Sequence, residues 1–284
     1  MNNYTFMEWN INQATNMSGE NLISVIVPET VTKVDPVPDL ICLVEYSRSC
    51  KNSDDFIALL DQNGYGVCMT DNGDGMNDVL LAWRRSLFTA SDAAESEDLE
   101  MLSVKLTDRT GYSFMFAGCR MRLGDYNCNE GTWKKRRMQF ARILNSLNDR
   151  STDLPLLLLG DFNNNRTNLN FLSKDKKKNA FINLWSVKVV DRMAEEYGLK
   201  RYTPSQPSSI KAVESIFQED HLICKGFSVR DINYDRSFTK SYPDIYINGE
   251  DFEVYDRIRR ESLWSIPFGS GIPDHAILSG TVGI

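Results

Sequence analysis

Leu156-Leu157-Leu158-Leu159-Gly160-Asp161-Phe162-Asn163 is the stretch that decides how this chain is read. Four apolar residues bounded by Pro155 and Gly160 predict a strand buried on both faces, with polar groups at its C-terminal edge. Asp161 and Asn163 are two residues apart, at a strand end after a glycine. They therefore point the same way and can share a metal ion or a phosphoryl oxygen. A strand followed by an Asx turn accounts for the same residues without chemistry. The balance is tipped by further segments elsewhere in the chain.

Phe6-Met7-Glu8-Trp9-Asn10-Ile11-Asn12 reads as a strand ending in Trp-Asn. Asp39-Leu40-Ile41-Cys42-Leu43-Val44-Glu45 is an apolar run ending in a glutamate. Two more elements follow, Glu219-Asp220-His221-Leu222-Ile223 and Pro273-Asp274-His275-Ala276-Ile277-Leu278. In this order the five elements resemble those of the endonuclease/exonuclease/phosphatase superfamily, whose members include pancreatic deoxyribonuclease, AP endonucleases, sphingomyelinases and inositol-polyphosphate phosphatases. Gly160-Asp161-Phe162-Asn163 looks like its Gly-Asp-x-Asn element, and Pro273 stands where the family's closing Ser-Asp-His has serine. The resemblance runs from residue 6 to residue 278. It implies an α/β (α+β) fold: a four-layer sandwich of two packed mixed β-sheets flanked by helices, formed as one domain over residues 1–284.

The bulk properties agree with a globular protein. A chain of 284 residues can bury a large core, and 42% hydrophobic with 25% charged residues is ordinary. No apolar stretch approaches the ~20 residues a bilayer span needs. The first residues, Met1-Asn2-Asn3-Tyr4-Thr5, lack a basic or signal-like segment, so a cytoplasmic location is expected. Cys42, Cys119 and Cys224 lie in apolar, strand-like surroundings, as reduced cysteines do. With two histidines and no Cys-x-x-Cys pair, a zinc cluster is not expected.

The net charge of −7 argues against indiscriminate binding to polyanions, though the local field at a site matters more than the total. Two basic clusters stand out, Lys134-Lys135-Arg136-Arg137 and Lys174-Asp175-Lys176-Lys177-Lys178. Each reads first as solvated surface; the second follows Asn163 in a polar stretch and could overhang the site. Asp71-Asn72-Gly73-Asp74-Gly75 hints at a calcium loop but lacks the closing glutamate, so a turn between strands is expected.

A helix should start at Ser53-Asp54-Asp55 and end near Gly64, and another should run from Thr132 to Asn148 on Phe140, Ile143, Leu144 and Leu147. Strands are expected at Val79–Trp83 and Tyr112–Cys119. Pro243, Gly249, Pro267 and Gly269 break up the segment from Arg230 to Ile272, where irregular loops are expected.

The resemblance also implies roles. Glu45 corresponds to the family's principal metal ligand, and Asn12 to a position where some members carry an acidic ligand. Here Asn12 offers only a neutral amide, so modest metal affinity is expected. Asp274 would join the metal network. Carboxylates with amides suit Mg²⁺ or Mn²⁺. Asp161 would activate the attacking water, with Asn163 and Asn10 orienting it or the phosphate. Asp220 would hold His275 against the scissile phosphate. His221, adjacent to Asp220 on a strand, should face the other way. The family usually has histidine or tyrosine where Gly118-Cys119-Arg120-Met121-Arg122 runs. Arg120, or Arg122 if the register slips by two, would clamp phosphate without exchanging a proton.

The expected function is divalent-metal-dependent phosphoester hydrolysis, with nucleic acid as substrate and no protein partner inferred. The competing expectations are hydrolysis of a small or lipid phosphate, with Leu263–Phe268 as the one apolar candidate loop, and a non-catalytic phosphate-binding descendant.

Overall fold

The computed structural model describes residues 2–12, 23–48, 53–71, 77–96, 100–121, 130–164, 185–206, 208, 218–241, 273 and 275–284. The first half of the chain forms β1 (Asn3–Asn10), α1 (Ile23–Lys33), β2 (Leu40–Tyr46), α2 (Ser53–Gln62), β3 (Tyr65–Met69) and β4 (Asp78–Arg84). Next come β5 (Phe88–Ser96), β6 (Met101–Asp108), β7 (Ser113–Arg120), α3 (Glu130–Arg150) and β8 (Leu156–Asp161). The chain closes with α4 (Val187–Glu195), β9 (Lys200–Tyr202), β10 (Asp220–Lys225), β11 (Ser228–Asp235), a 3-10 turn (Ser237–Ser241) and β12 (Ile277–Gly283).

Two six-stranded mixed sheets result, ordered β11-β12-β1-β2-β4-β3 and β5-β6-β7-β8-β10-β9. Each contains one parallel pair, β1 with β2 and β7 with β8, among antiparallel neighbours. A parallel pair needs a crossover, and α1 and α3 fall between the paired strands in the sequence. The expected sandwich of two mixed sheets flanked by helices is therefore what the chain forms.

Side-chain alternation sorts the core into three layers. Phe6, Cys42, Leu81, Phe114, Phe116, Leu157, Leu159 and Leu222 pack between the sheets. Leu156, Leu158 and Ile223 face Phe140, Ile143, Leu144 and Leu147 of α3. Met7, Trp9, Ile41 and Leu43 face Ile26 and Val27 of α1 and Phe56 and Leu60 of α2. All four leucines of β8 are fully buried, as a strand covered on both faces requires. At Gly118 the sheets approach so closely that an added Cβ would lie 2.6 Å from Cys42 Sγ.

Two expectations are corrected. Arg230 to Asp235 is not irregular but completes β11, paired with β12 across a register shift between Arg230 and Asn233. Half of its residues are exposed, and the register shift breaks the alternation of Val229, Ile232 and Tyr234, which pack on the core. The strands β5 and β6 were also not expected; β5 is an edge strand whose middle residues are exposed and carry no apolar alternation. Among the described residues no helix is long and apolar enough to cross a membrane. Cys42, Cys68, Cys119 and Cys224 are free thiols, and burial pushes Cys68 and Cys224 up to about 12.

Candidate functional site

The inter-sheet layer is apolar for most of its length and turns polar at one end. Asn10 ends β1, Glu45 lies near the end of β2, Arg120 ends β7 and Asp161 ends β8. These are the C-terminal ends of the two parallel pairs, the edge where open α/β sheets place ligands. Asp220 enters beside them because β10 runs antiparallel to β8, with Asp220 opposite Asp161.

Asp161 sits at the centre. Its Oδ2 accepts from Asn10 Nδ2 at 3.0 Å and from Asn163 Nδ2 at 2.9 Å, and its Oδ1 accepts from the Asn163 backbone N–H at 2.7 Å. The last bond is an Asx turn, so the plain reading of Gly160-Asp161-Phe162-Asn163 is true and forms part of the site. Asn163 closes the turn at φ 46° and also donates to the Met121 carbonyl at 2.8 Å. Gly160 has φ 153°, and a Cβ there would lie 1.9 Å from the Cys119 carbonyl oxygen, so only glycine fits before Asp161.

Glu45 reaches the site through a backbone irregularity. Strict alternation would send it toward the helix layer with Leu43. Instead the β2–β4 register shifts between Leu43 and Tyr46, and Glu45 has φ 56°. The bulge turns the carboxylate inward, where Oε1 accepts from Asn10 Nδ2 at 3.1 Å and Arg120 Nε at 2.9 Å and forms an ion pair with Arg120 Nη2 at 2.8 Å. Asn12, also left-handed at φ 50°, follows Asn10 and donates its backbone N–H to Asn10 Oδ1 at 3.0 Å.

His275 Nδ1 and Asp220 Oδ2 are 2.8 Å apart, so the carboxylate fixes the tautomer with the proton on Nδ1. Trp9 Nε1 donates to the His275 carbonyl at 2.9 Å and Tyr234 OH to the Asp220 carbonyl at 2.6 Å, anchoring both backbones. Ligand-capable atoms of Asp161, Asp220 and His275 lie within 4.8 Å of one another. Burial, reinforced by the Asp220 carboxylate, pushes the Asp161 carboxyl up to about 6 against the opposing pull of His275 and Arg120. His221 faces away: Nε2 is 2.7 Å from Asn164 Oδ1 and Nδ1 is 2.7 Å from Thr203 Oγ1. Burial pushes its pKa well below the ordinary histidine value.

Asn10, Asn12, Glu45, Arg120, Asp161, Asn163, Asp220 and His275 are thus brought to one end of the sandwich. Asp274, Arg122, the second basic cluster, most of the calcium-like loop and Leu263–Phe268 lie outside the described residues. Arg120 is not an open clamp: its Nη1 also meets Glu100 Oε2 at 3.3 Å, and it is 7% exposed. Burial opposes its charge, yet Glu45 and Glu100 hold its pKa above the usual guanidinium value.

Two acidic residues escaped the sequence reading. Glu100 precedes β6 at the end of an acidic run, Glu95 to Glu100, that looks like plain surface. Glu8 lies two residues before Asn10, and alternation could have found it: it shares Asn10's face and is fully buried. Neither Glu8 carboxylate oxygen has a hydrogen-bond partner among the described residues, nor has Asp220 Oδ1. Burial, then the Asp220 and Asp161 charges, push Glu8 well above the ordinary glutamate value.

The family model described as "Endonuclease/Exonuclease/phosphatase family" matches residues 7–281. Solved structures share the fold at low identity. The human Nocturnin catalytic domain with bound sulfate gives a TM-score of 0.60 at 14% identity, covering 99% of this chain and 94% of that one. Bacteroides thetaiotaomicron mannosyl-6-phosphatase gives 0.60 at 14% identity, covering 99% and 100%. D. rerio TDP2 with a single-strand DNA product gives 0.60 at 11% identity, covering 100% of both. No curated protein matches by sequence.

Proposed function

Because the chain belongs to the endonuclease/exonuclease/phosphatase family, a family of phosphoester hydrolases, we propose that it hydrolyses nucleic-acid phosphodiester bonds with a divalent cation, Mg²⁺ or Mn²⁺. The observation that carries the hydrolytic reading is the convergence on Asp161. A buried carboxyl oriented by Asn10 and Asn163 has Asp220 and His275 beside it, within 4.8 Å.

The donor set fits a hard cation. Glu45 is a carboxylate aimed inward at the end of the inter-sheet layer, Asn12 donates its backbone N–H to the Asn10 side chain that in turn donates to Glu45, and the buried Asp220 Oδ1 has no hydrogen-bond partner among the described residues. Glu45 and Asn12 would hold the cation, with Asp274 outside the described residues. When bound, it supplies Lewis-acid neutralisation of the phosphoryl charge.

The chain's own groups account for the rest. Asp161 takes a proton from water as the water oxygen bonds to phosphorus, and a carboxyl held at about 6 is ionised at neutral pH yet still basic. His275, held at Nδ1 by Asp220, donates from Nε2 to a phosphate oxygen in its doubly protonated form. Arg120 adds a permanent positive charge. The bond from phosphorus to the leaving oxygen breaks, and that oxygen gains a proton from solvent.

A nucleic-acid substrate is supported by α3. Lys134, Lys135 and Arg137 are exposed, while Arg136 turns inward and donates to the Asn163 carbonyl at 2.8 Å. This bond ties a basic helical segment to the loop that carries Asn163, where a polyanion would run.

Single- and double-stranded DNA, RNA, inositol phosphates and sphingomyelin are incubated with and without Mg²⁺ or Mn²⁺. Cation-stimulated cleavage of a nucleic acid is expected, and its loss in Asp161→Ala, Glu45→Ala and His275→Ala with the fold intact. Cleavage of only a small or lipid phosphate would overturn the nuclease reading, and full activity of Asp161→Ala would overturn the hydrolytic one.

A further inference from the structure

Glu45 Oε1 is already crowded. It accepts from Asn10 Nδ2 and from Arg120 Nε at 2.9 Å, and Arg120 Nη2 lies 2.8 Å from it as an ion pair. A divalent cation binding this carboxylate would meet the positive charge of the guanidinium at hydrogen-bonding range. Arg120 cannot relieve that repulsion by losing its proton, so it can only be resolved by where the guanidinium goes. The structure provides a second place. Nη1 of the same fork meets Glu100 Oε2 at 3.3 Å, and the Arg120 backbone N–H donates to the Glu100 carbonyl at 2.9 Å, pinning the two residues together. Glu45, Arg120 and Glu100 are 8%, 7% and 7% exposed, so little solvent screens the three charges from one another.

We infer that Arg120 is a tethered counter-cation that competes with the metal for Glu45, and that Glu100 is a positioning residue that eases metal entry by drawing the guanidinium away. The inference rests on the reading of Glu45 as a metal ligand. It makes the cation requirement of this chain a property of a three-residue charge relay. Asn12 offering a neutral amide, as noted above, acts in the same direction.

The test is Mn²⁺ affinity of the full chain, read by electron paramagnetic resonance of free Mn²⁺, with circular dichroism confirming the fold. Arg120→Met should tighten binding about tenfold and the isosteric Glu100→Gln should weaken it about fivefold, opposite shifts from two members of one triad. In the Arg120→Met background, Glu100→Gln should change affinity less than about twofold, because Glu100 acts through Arg120. Weaker or unchanged binding in Arg120→Met overturns the proposal. So does a Glu100→Gln effect that persists undiminished in the double variant, which would mark a simple change of net charge. Should Arg120→Met fail to fold, unchanged affinity in Glu100→Gln alone overturns it. Glu45→Gln separates the two levels. Mn²⁺ binding that survives it intact overturns the ligand assignment together with the inference, whereas loss there with no Arg120 effect overturns the inference alone.

Discussion

His275 Nδ1 and Asp220 Oδ2 meet at 2.8 Å although 55 residues separate them in the chain. The contact closes the sandwich chemically, since Asp220 belongs to one sheet and His275 leads into β12 of the other. If the carboxylate holds the imidazole for phosphate contact, Asp220→Asn should lower turnover about 10²-fold with a smaller change in KM. Steady-state kinetics check this. A pure KM effect would indicate a binding role only.

If Asp161 is the base, it sets the acid side of the pH profile. Its carboxyl is raised to about 6, and only the ionised form takes a proton. Activity should therefore fall about tenfold per pH unit below that point. A bound cation moves the limb lower, never higher. A limb above pH 7 in kcat/KM would show that another group is the base.

Glu8 predicts the pH dependence of stability. A raised carboxyl pKa means that the folded state holds a proton the unfolded chain has already lost. Stability therefore declines as pH rises from the ordinary glutamate value toward the folded one. Glu8→Gln should stabilise the protein at pH 8, with the gain vanishing as the pH falls to glutamate's usual range. Urea unfolding at pH 8 and pH 4.5 measures the difference. A gain independent of pH would show that packing, not charge, is the cause.

Gly160→Ala should cost about 3 kcal/mol or more, because its Cβ collides with the Cys119 carbonyl oxygen in a backbone conformation alanine rarely adopts. Since Gly160 positions Asp161, any folded fraction should be less active per folded molecule. Thermal unfolding and active-site titration separate the two effects.

Much of this is legible in the sequence, where polar residues interrupt apolar strands. The four leucines announce β8 and Asp161, and strand alternation sends His221 away from Asp220. Alternation fails at Glu45, where a bulge reverses the facing, and no composition reveals a bulge. Glu45 was found by resemblance instead. Glu100 escaped because an acid in an acidic run looks solvated until Arg120 is folded against it. The β11 strand escaped because a register shift breaks the alternation of Val229, Ile232 and Tyr234 along it. Arg120 was found, but its engagement with two carboxylates is a fact of three dimensions.

Asn10 and Glu45 ride on one sheet, while Arg120, Asp161 and Asp220 ride on the other, and the apolar layer between the sheets helps set the offset between them. The alignment of the proposed catalytic groups thus depends on residues nowhere near them. Hollowing that layer, for instance by Leu159→Ala beneath the Cys42 Sγ contact to the Leu159 carbonyl at 3.9 Å, lets the two halves settle differently. Variants of this kind should lose rate while still melting cooperatively, behaving as misaligned machines rather than unfolded ones.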